Sequence, residues 1–195
     1  VLIVGSGGRE HALSWKISKS PLVKQIYVAP GKGGTELENS IINIDIQADD
    51  IEGLVQFAIN KQIDLTVIGP ENPLVNGITD KFEESGLRCF GPSKGAAQLE
   101  GSKEFMKDFL RKYNIPTAEY SSFTDSIKAI DYVREKGCPI VIKADGLAAG
   151  KGVTIANNID EAKEAIDLAL ESEIFGEAGR LSLIHISEPT RQDRI

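Results

Sequence analysis

The rhythm of residues 1–100 most constrains how this chain can fold. Short, unbroken apolar runs alternate there with amphipathic stretches of helical period. Val1–Val4, Gln25–Val28, Asp64–Ile68 and Arg88–Phe90 read as strands, and Arg9–Lys19, Asp49–Asn60 and Leu74–Ser85 as helices. Runs such as Leu-Thr-Val-Ile (65–68) suit strands buried on both faces. Strands alternating with helices predict a parallel sheet with right-handed crossovers, an α/β, Rossmann-like N-terminal domain over residues 1–100.

A different pattern begins at Gly101. Ser102 is an N-cap for a helix over Lys103–Tyr113, which stops before Ile115-Pro116. Strands at Ala118–Ser122, Pro139–Lys143 and Val153–Ala156, with helices at Asp125–Lys136 and Asp160–Glu171, give a second unit of α+β character over 101–180. The run LSLIHISEPTR (181–191) continues neither a helical nor a strand pattern. It matches, residue for residue, the translation of a transposase adapter used in short-read DNA library preparation. Residues 181–195 are therefore expected to be a non-native, adapter-derived tail, and the second unit to be incomplete.

Composition narrows the function classes. A net charge of −7 argues against a general nucleic-acid or membrane-surface binder. No apolar run approaches the ~18 residues of a membrane span, and the N-terminal residues lack the flank and core of a signal peptide. The two cysteines, Cys89 and Cys138, have no metal-ligand spacing and are expected to be reduced thiols in a cytoplasmic protein. With only His11 and His185, neither a histidine-based triad nor a histidine-rich zinc site is expected.

Three segments carry chemistry. In Val-Leu-Ile-Val-Gly-Ser-Gly-Gly-Arg-Glu-His (1–11), a strand enters a glycine turn and then a helix, an arrangement attractive to phosphate. Glu10 stands where a dinucleotide fingerprint needs its third glycine, and Val28-Ala29-Pro30-Gly31 offers no acid for a ribose. A small phosphorylated substrate is thus favoured over NAD, beside the plain reading of a tight structural turn. The loop Ile-Gly-Pro-Glu-Asn-Pro-Leu (68–74) follows a buried strand and should face the same crevice as Gly7 and Gly8. Glu71 there could accept from an amine or a sugar hydroxyl, or be an ordinary solvated glutamate.

The third segment is Pro-Ile-Val-Ile-Lys-Ala-Asp-Gly-Leu-Ala-Ala-Gly-Lys-Gly-Val (139–153). Lys143 closes an apolar strand, a compact charge suited to phosphate oxygens. Gly146, Gly150, Lys151 and Gly152 form a loop able to fold over a polyphosphate and offer N–H donors. It is no Walker A loop, because Gly152 stands where a magnesium-binding hydroxyl is needed. Lys103 begins a helix, the wrong end for a cation unless an anion lies between it and the helix.

The motifs GSGGREHAL, SPLV, APG, IDLTVIGPENPL, FGPSKGAAQLEGSK, KDFL, YNIPTAEY and CPIVIKADGLAAGKGV, in that order, resemble the glycinamide ribonucleotide synthetase (phosphoribosylamine–glycine ligase) family. These are ATP-grasp enzymes of purine biosynthesis, and the resemblance runs from Val1 to about Gly179. It implies a pre-ATP-grasp N-terminal domain followed by the small lobe of an incomplete ATP-grasp fold. It implies ATP with Mg2+, or Mn2+ in its place, and glycine and 5-phosphoribosylamine as substrates, without nucleic acid or membrane. Lys103 and Lys143 would contact ATP phosphates, and Asp145–Gly152 would be the lid, with Asp145, Gly146, Gly150, Lys151 and Gly152 at the nucleotide. Gly7, Gly8, Arg9 and Glu71 would belong to the phosphoribosylamine site. The family's metal ligands and adenine pocket follow Gly179, so the polypeptide as written is expected to be inactive alone. Two other readings stay open: another ATP-grasp carboxylate–amine ligase, and a non-catalytic Rossmann-type nucleotide-binding module.

Overall fold

The computed structural model describes residues 1–145 and 153–170, together with the backbone of 182–186. Two compact units emerge, Val1–Gln98 and Leu99–Ile195.

The N-terminal unit contains β1 (Leu2–Gly5), α1 (Gly8–Ser18), β2 (Ile26–Pro30), α2 (Gly33–Glu36), β3 (Ile41–Asn43), α3 (Ile51–Asn60), β4 (Thr66–Ile68), α4 (Glu71–Val75), α5 (Ile78–Glu84) and β5 (Cys89–Phe90). Its five strands are all parallel in the order β3-β2-β1-β4-β5. The period-2 geometry of a strand divides β1 between two cores. Leu2 and Val4 face Leu54, Ala58, Ile78 and Phe82 from α3 and α5. Ile3 faces the opposite side with Ile26, Val28 and Val67, where Leu13 and Ile17 of α1 pack. Burial on both faces explains the unbroken apolar runs, and the Rossmann-like expectation holds.

The single helix expected over Leu74–Ser85 is two helices. Gly77 adopts φ +93°, a left-handed conformation that glycine reaches without a Cβ penalty, and α4 ends there before α5 starts. The sequence reading also lacked α2 and β3. Both are short, and Ile42 in β3 is 46% exposed, so the segment shows no buried alternation.

Helix α6 (Lys94–Gly101) leads from the first unit into the second. There follow α7 (Lys103–Lys112), β6 (Tyr120–Phe123), α8 (Ser126–Lys136), β7 (Ile140–Ala144), β8 (Val153–Ala156), α9 (Ile159–Leu170) and β9 (Ser182–Ile186). The sheet order is β6-β9-β7-β8, with antiparallel pairing throughout. Ile140, Ile142 and Ala156 pack against Ala129 and Val133 of α8 and Ala162 and Ile166 of α9. The opposite face carries Lys143, whose cross-strand partner is Val153. Val153 and Ile155 there remain 46% and 60% exposed.

Strand β9 corrects the expectation that residues 181–195 add no strand. Ser182–Ile186 pairs with Tyr120–Phe123 on one side and Ile140–Ala144 on the other. The segment Leu183-Ile184-His185-Ile186 is rich in β-branched residues, which suits a ladder position whatever its origin.

Candidate functional site

In the N-terminal unit the carboxyl ends of β1 and β4 lie side by side, where the strand order reverses and open α/β sheets bind ligands. The turn from β1 into α1 and the loop after β4 meet there. Arg9 donates to the Gly69 carbonyl at 2.7 Å and to Glu71 Oε1 at 3.1 and 3.2 Å. The predicted residues Gly7, Gly8, Arg9 and Glu71 thus line one cleft of about 430 Å³. Glu71 opens α4, and its own backbone amide holds its carboxyl below the usual carboxylate range. Burial opposes this shift, while the Arg9 hydrogen bond and charge add to it.

Glu10, which stands where a dinucleotide fingerprint has its third glycine, organises this turn. Its side chain is nearly enclosed, at 5% exposure, and its Oε2 accepts the Gly7 amide at 2.6 Å. A Cβ on Gly69 would lie 2.1 Å from Glu10 Oε1, and one on Gly5 would lie 2.6 Å from Glu10 Cγ. A Cβ on Gly7 would approach Oε2 to 2.9 Å. These glycines are therefore required by the glutamate packed among them, while a Cβ on Gly8 would meet open space. The detectable signal was a helix start with Glu three residues after the cap, the capping-box spacing.

In the second unit the apolar run of β7 delivers Lys143 near the end of the strand. Burial pushes its ammonium pKa down, and the charges of Lys107 and Lys103 push it further. Three lysines thus share one neighbourhood at the root of the glycine-rich segment. Lys107, which the sequence reading missed, is buried and donates to Thr117 Oγ1 at 2.6 Å and to the Ala118 carbonyl at 3.2 Å. Only its place on the inner side of α7 reveals this, because by sequence it is one more lysine on a charged helix.

Asp145 occupies the start of α7. Its Oδ1 accepts the amides of Lys103 at 2.6 Å and Glu104 at 3.1 Å, and its Oδ2 accepts the Ser102 hydroxyl at 3.0 Å. Ser102 Oγ in turn accepts the Phe105 amide at 3.1 Å, the N-cap expected of it. The anion that a lysine at this helix end calls for is here the Asp145 carboxylate. Gly146, Gly150, Lys151 and Gly152 lie outside the described residues.

Cys89 and Cys138 are free, and burial pushes the Cys89 thiol up to about 11. Among the described residues no group of three or more His, Cys, Asp or Glu could hold a metal ion. No helix among them is long and apolar enough to cross a membrane.

Comparison with known proteins gives this geometry a lineage. The phosphoribosylglycinamide synthetase N domain matches residues 1–100, and the ATP-grasp (A) domain of the same synthetase matches residues 101–187. The chain belongs to the phosphoribosylglycinamide synthetase family. It is 58% identical over 179 residues to the phosphoribosylamine–glycine ligase of Haemophilus influenzae, covering 92% of this chain and 42% of that protein. The Vibrio cholerae ligase is 59% identical over 179 residues, with the same two coverages of 92% and 42%. The chain therefore spans less than half the length of the curated relatives it matches. Among solved structures, the phosphoribosylamine–glycine ligase of Thermotoga maritima superposes with a TM-score of 0.75 at 28% identity, over 96% of this chain and 44% of that one. A carboxyaminoimidazole ribonucleotide synthase from Aspergillus clavatus, complexed with ATP, superposes at 0.72 with 20% identity, over 95% and 47%. At that identity the likeness speaks for the fold alone. The family match extends through Ser182–Ile186, so within this synthetase family the position of β9 is a place where chain is expected.

Proposed function

We propose that this chain is the N-terminal part of a cytoplasmic phosphoribosylamine–glycine ligase that uses ATP and Mg2+. In the reaction, the glycine carboxylate attacks the γ-phosphorus of ATP and releases ADP. The amine of 5-phosphoribosylamine then displaces phosphate from glycyl phosphate, giving glycinamide ribonucleotide. The observation that carries this reading is the position of Lys143, on a sheet face with exposed neighbours, sharing its surroundings with Lys103 and Lys107. The charges of Lys107 and Lys103 act against the Lys143 ammonium, and a bound polyphosphate relieves that repulsion at Lys143.

Each group in this reading has a separate task. Lys143 and Lys103 neutralise phosphate charge, and Gly146, Gly150, Lys151 and Gly152 cover the phosphates with backbone donors. Asp145 holds the beginning of that segment to α7. Gly7, Gly8, Arg9 and Glu71 receive the phosphoribosylamine. This division needs positioning and electrostatics, with no histidine acid–base chemistry. The described residues offer no magnesium set, so no step is assigned to the metal within this chain.

Limited proteolysis tests the nucleotide half of the reading. ATP should slow cleavage within residues 145–152 of the wild-type chain and have no such effect in K143M. Equal cleavage with and without ATP would contradict it.

A further inference from the structure

We infer that the Glu10 carboxylate is the hydrogen-bond acceptor at the floor of the N-terminal cleft, taking an amine or hydroxyl of a small sugar phosphate. This rests on reading the cleft as the phosphoribosylamine site, and it names the group that recognises the non-phosphate end of that substrate.

Four observations converge on Glu10. Its side chain is 5% exposed and yet lines the cleft beside Arg9 and Glu71. Its Oε2 holds the Gly7 amide, while Oε1 accepts no hydrogen bond among the described residues and is not sealed from solvent, so it is open to a donor entering the cleft. The nearest guanidinium does not neutralise it, because Arg9 is turned to the Gly69 carbonyl and to Glu71. The backbone around it, Gly5, Gly7 and Gly69, carries no side chain that could donate to Oε1, and the glutamate itself fills the space a Cβ would take there.

The consequence for ligand chemistry is directional. The first turn of α1 attracts anions in general, but its place is already taken by an internal carboxylate. A phosphate set against Glu10 would meet like charge, whereas an O–H or N–H would complete the acceptor. The anionic end of a substrate is thereby sent away from Glu10, toward Arg9 at the rim, whose side chain is 61% exposed.

The test titrates the 195-residue chain with ribose 5-phosphate, using inorganic phosphate as control. E10Q preserves an oxygen for the Gly7 amide and replaces the second acceptor by a donor. Ribose 5-phosphate should bind E10Q at least ~10-fold more weakly than wild type, a loss typical of a charge-assisted hydrogen bond, while inorganic phosphate binds unchanged or more tightly. Equal affinity of E10Q and wild type for ribose 5-phosphate would overturn the inference and leave the cleft reading intact. A wild-type chain that does not bind ribose 5-phosphate would instead overturn the cleft reading, and the inference with it. Should E10Q fail to fold, the side-chain carboxyl 13C resonance of Glu10 decides in the wild-type chain. It should move on saturation with ribose 5-phosphate and not with inorganic phosphate, and a stationary resonance would overturn the inference.

Discussion

Lys143 stands where stability and binding make opposite demands. In the ligand-free chain its ammonium is partly desolvated and repelled by two other lysines, so its pKa lies below the ordinary lysine value near 10.5. Between the folded and unfolded pKa values the unfolded chain binds more protons. The destabilisation from this residue is therefore full below the folded pKa and relieved as pH rises through it toward 10.5. K143M should leave the melting temperature unchanged or raise it, while weakening ATP binding at least ~10-fold, the trade expected of a binding residue held under repulsion. Parallel thermal melts and ATP titrations of the two proteins check this. A K143M chain that melts lower and binds ATP as before would show that Lys143 serves the fold instead. At the same scale, truncating the fully buried Phe82 to Ala should cost about 3–5 kcal/mol in denaturant unfolding of the N-terminal unit. The place of Phe82 on a core face follows from apolar residues at helical spacing, Ile78 and Phe82. The burial of Glu10 and Lys107 has no such signal, because burial of a charged side chain depends on which backbone packs over it.

At the scale of elements, α1, whose start the sequence offers to phosphate, and α7, whose start calls for an anion beside Lys103, each receive a carboxylate of the chain itself. Glu10 serves α1 from three residues away, and Asp145 serves α7 from 42 residues away. The first is a local spacing that sequence can reveal. The second joins the end of β7 to the start of α7 and becomes visible only when the sheet is assembled. D145A would leave the Lys103 and Glu104 amides without their acceptor, costing about 1–3 kcal/mol in the second unit. D145N retains an oxygen for those amides and should recover most of that loss. Amide hydrogen exchange at Lys103 and Glu104 reads the effect directly: faster in D145A, near wild type in D145N. The strands of the parallel sheet were readable because burial on both faces leaves unbroken apolar runs. The break between α4 and α5 was not, because Gly77 interrupts an otherwise continuous amphipathic pattern with a single positive φ.

For the whole molecule, the family match and the parallel order β3-β2-β1-β4-β5 agree with the α/β-then-α+β reading of the sequence. What sequence pattern did not supply was β9, since a five-residue strand between two partners needs little periodicity of its own. Its pairing with both β6 and β7 makes it the bridge of that sheet. Removing residues 181–195 should therefore lower the denaturation midpoint of the second unit and leave that of the first unchanged, as resolved by circular dichroism and tryptophan fluorescence from Trp15. The 195-residue polypeptide covers 42% of the Haemophilus influenzae ligase and is expected to give no glycine-dependent ADP release by itself. The proposed phosphate contacts of ATP, Lys143 and Lys103, both lie on this portion. The most direct test is a titration of the isotope-labelled chain with ATP, followed through the side-chain ammonium resonances of these two lysines. The account predicts that both move together with a single affinity and that the Lys143 pKa rises toward 10.5 as phosphate relieves the repulsion. Resonances and pKa that stay fixed while ATP binds elsewhere, or fails to bind, would contradict it.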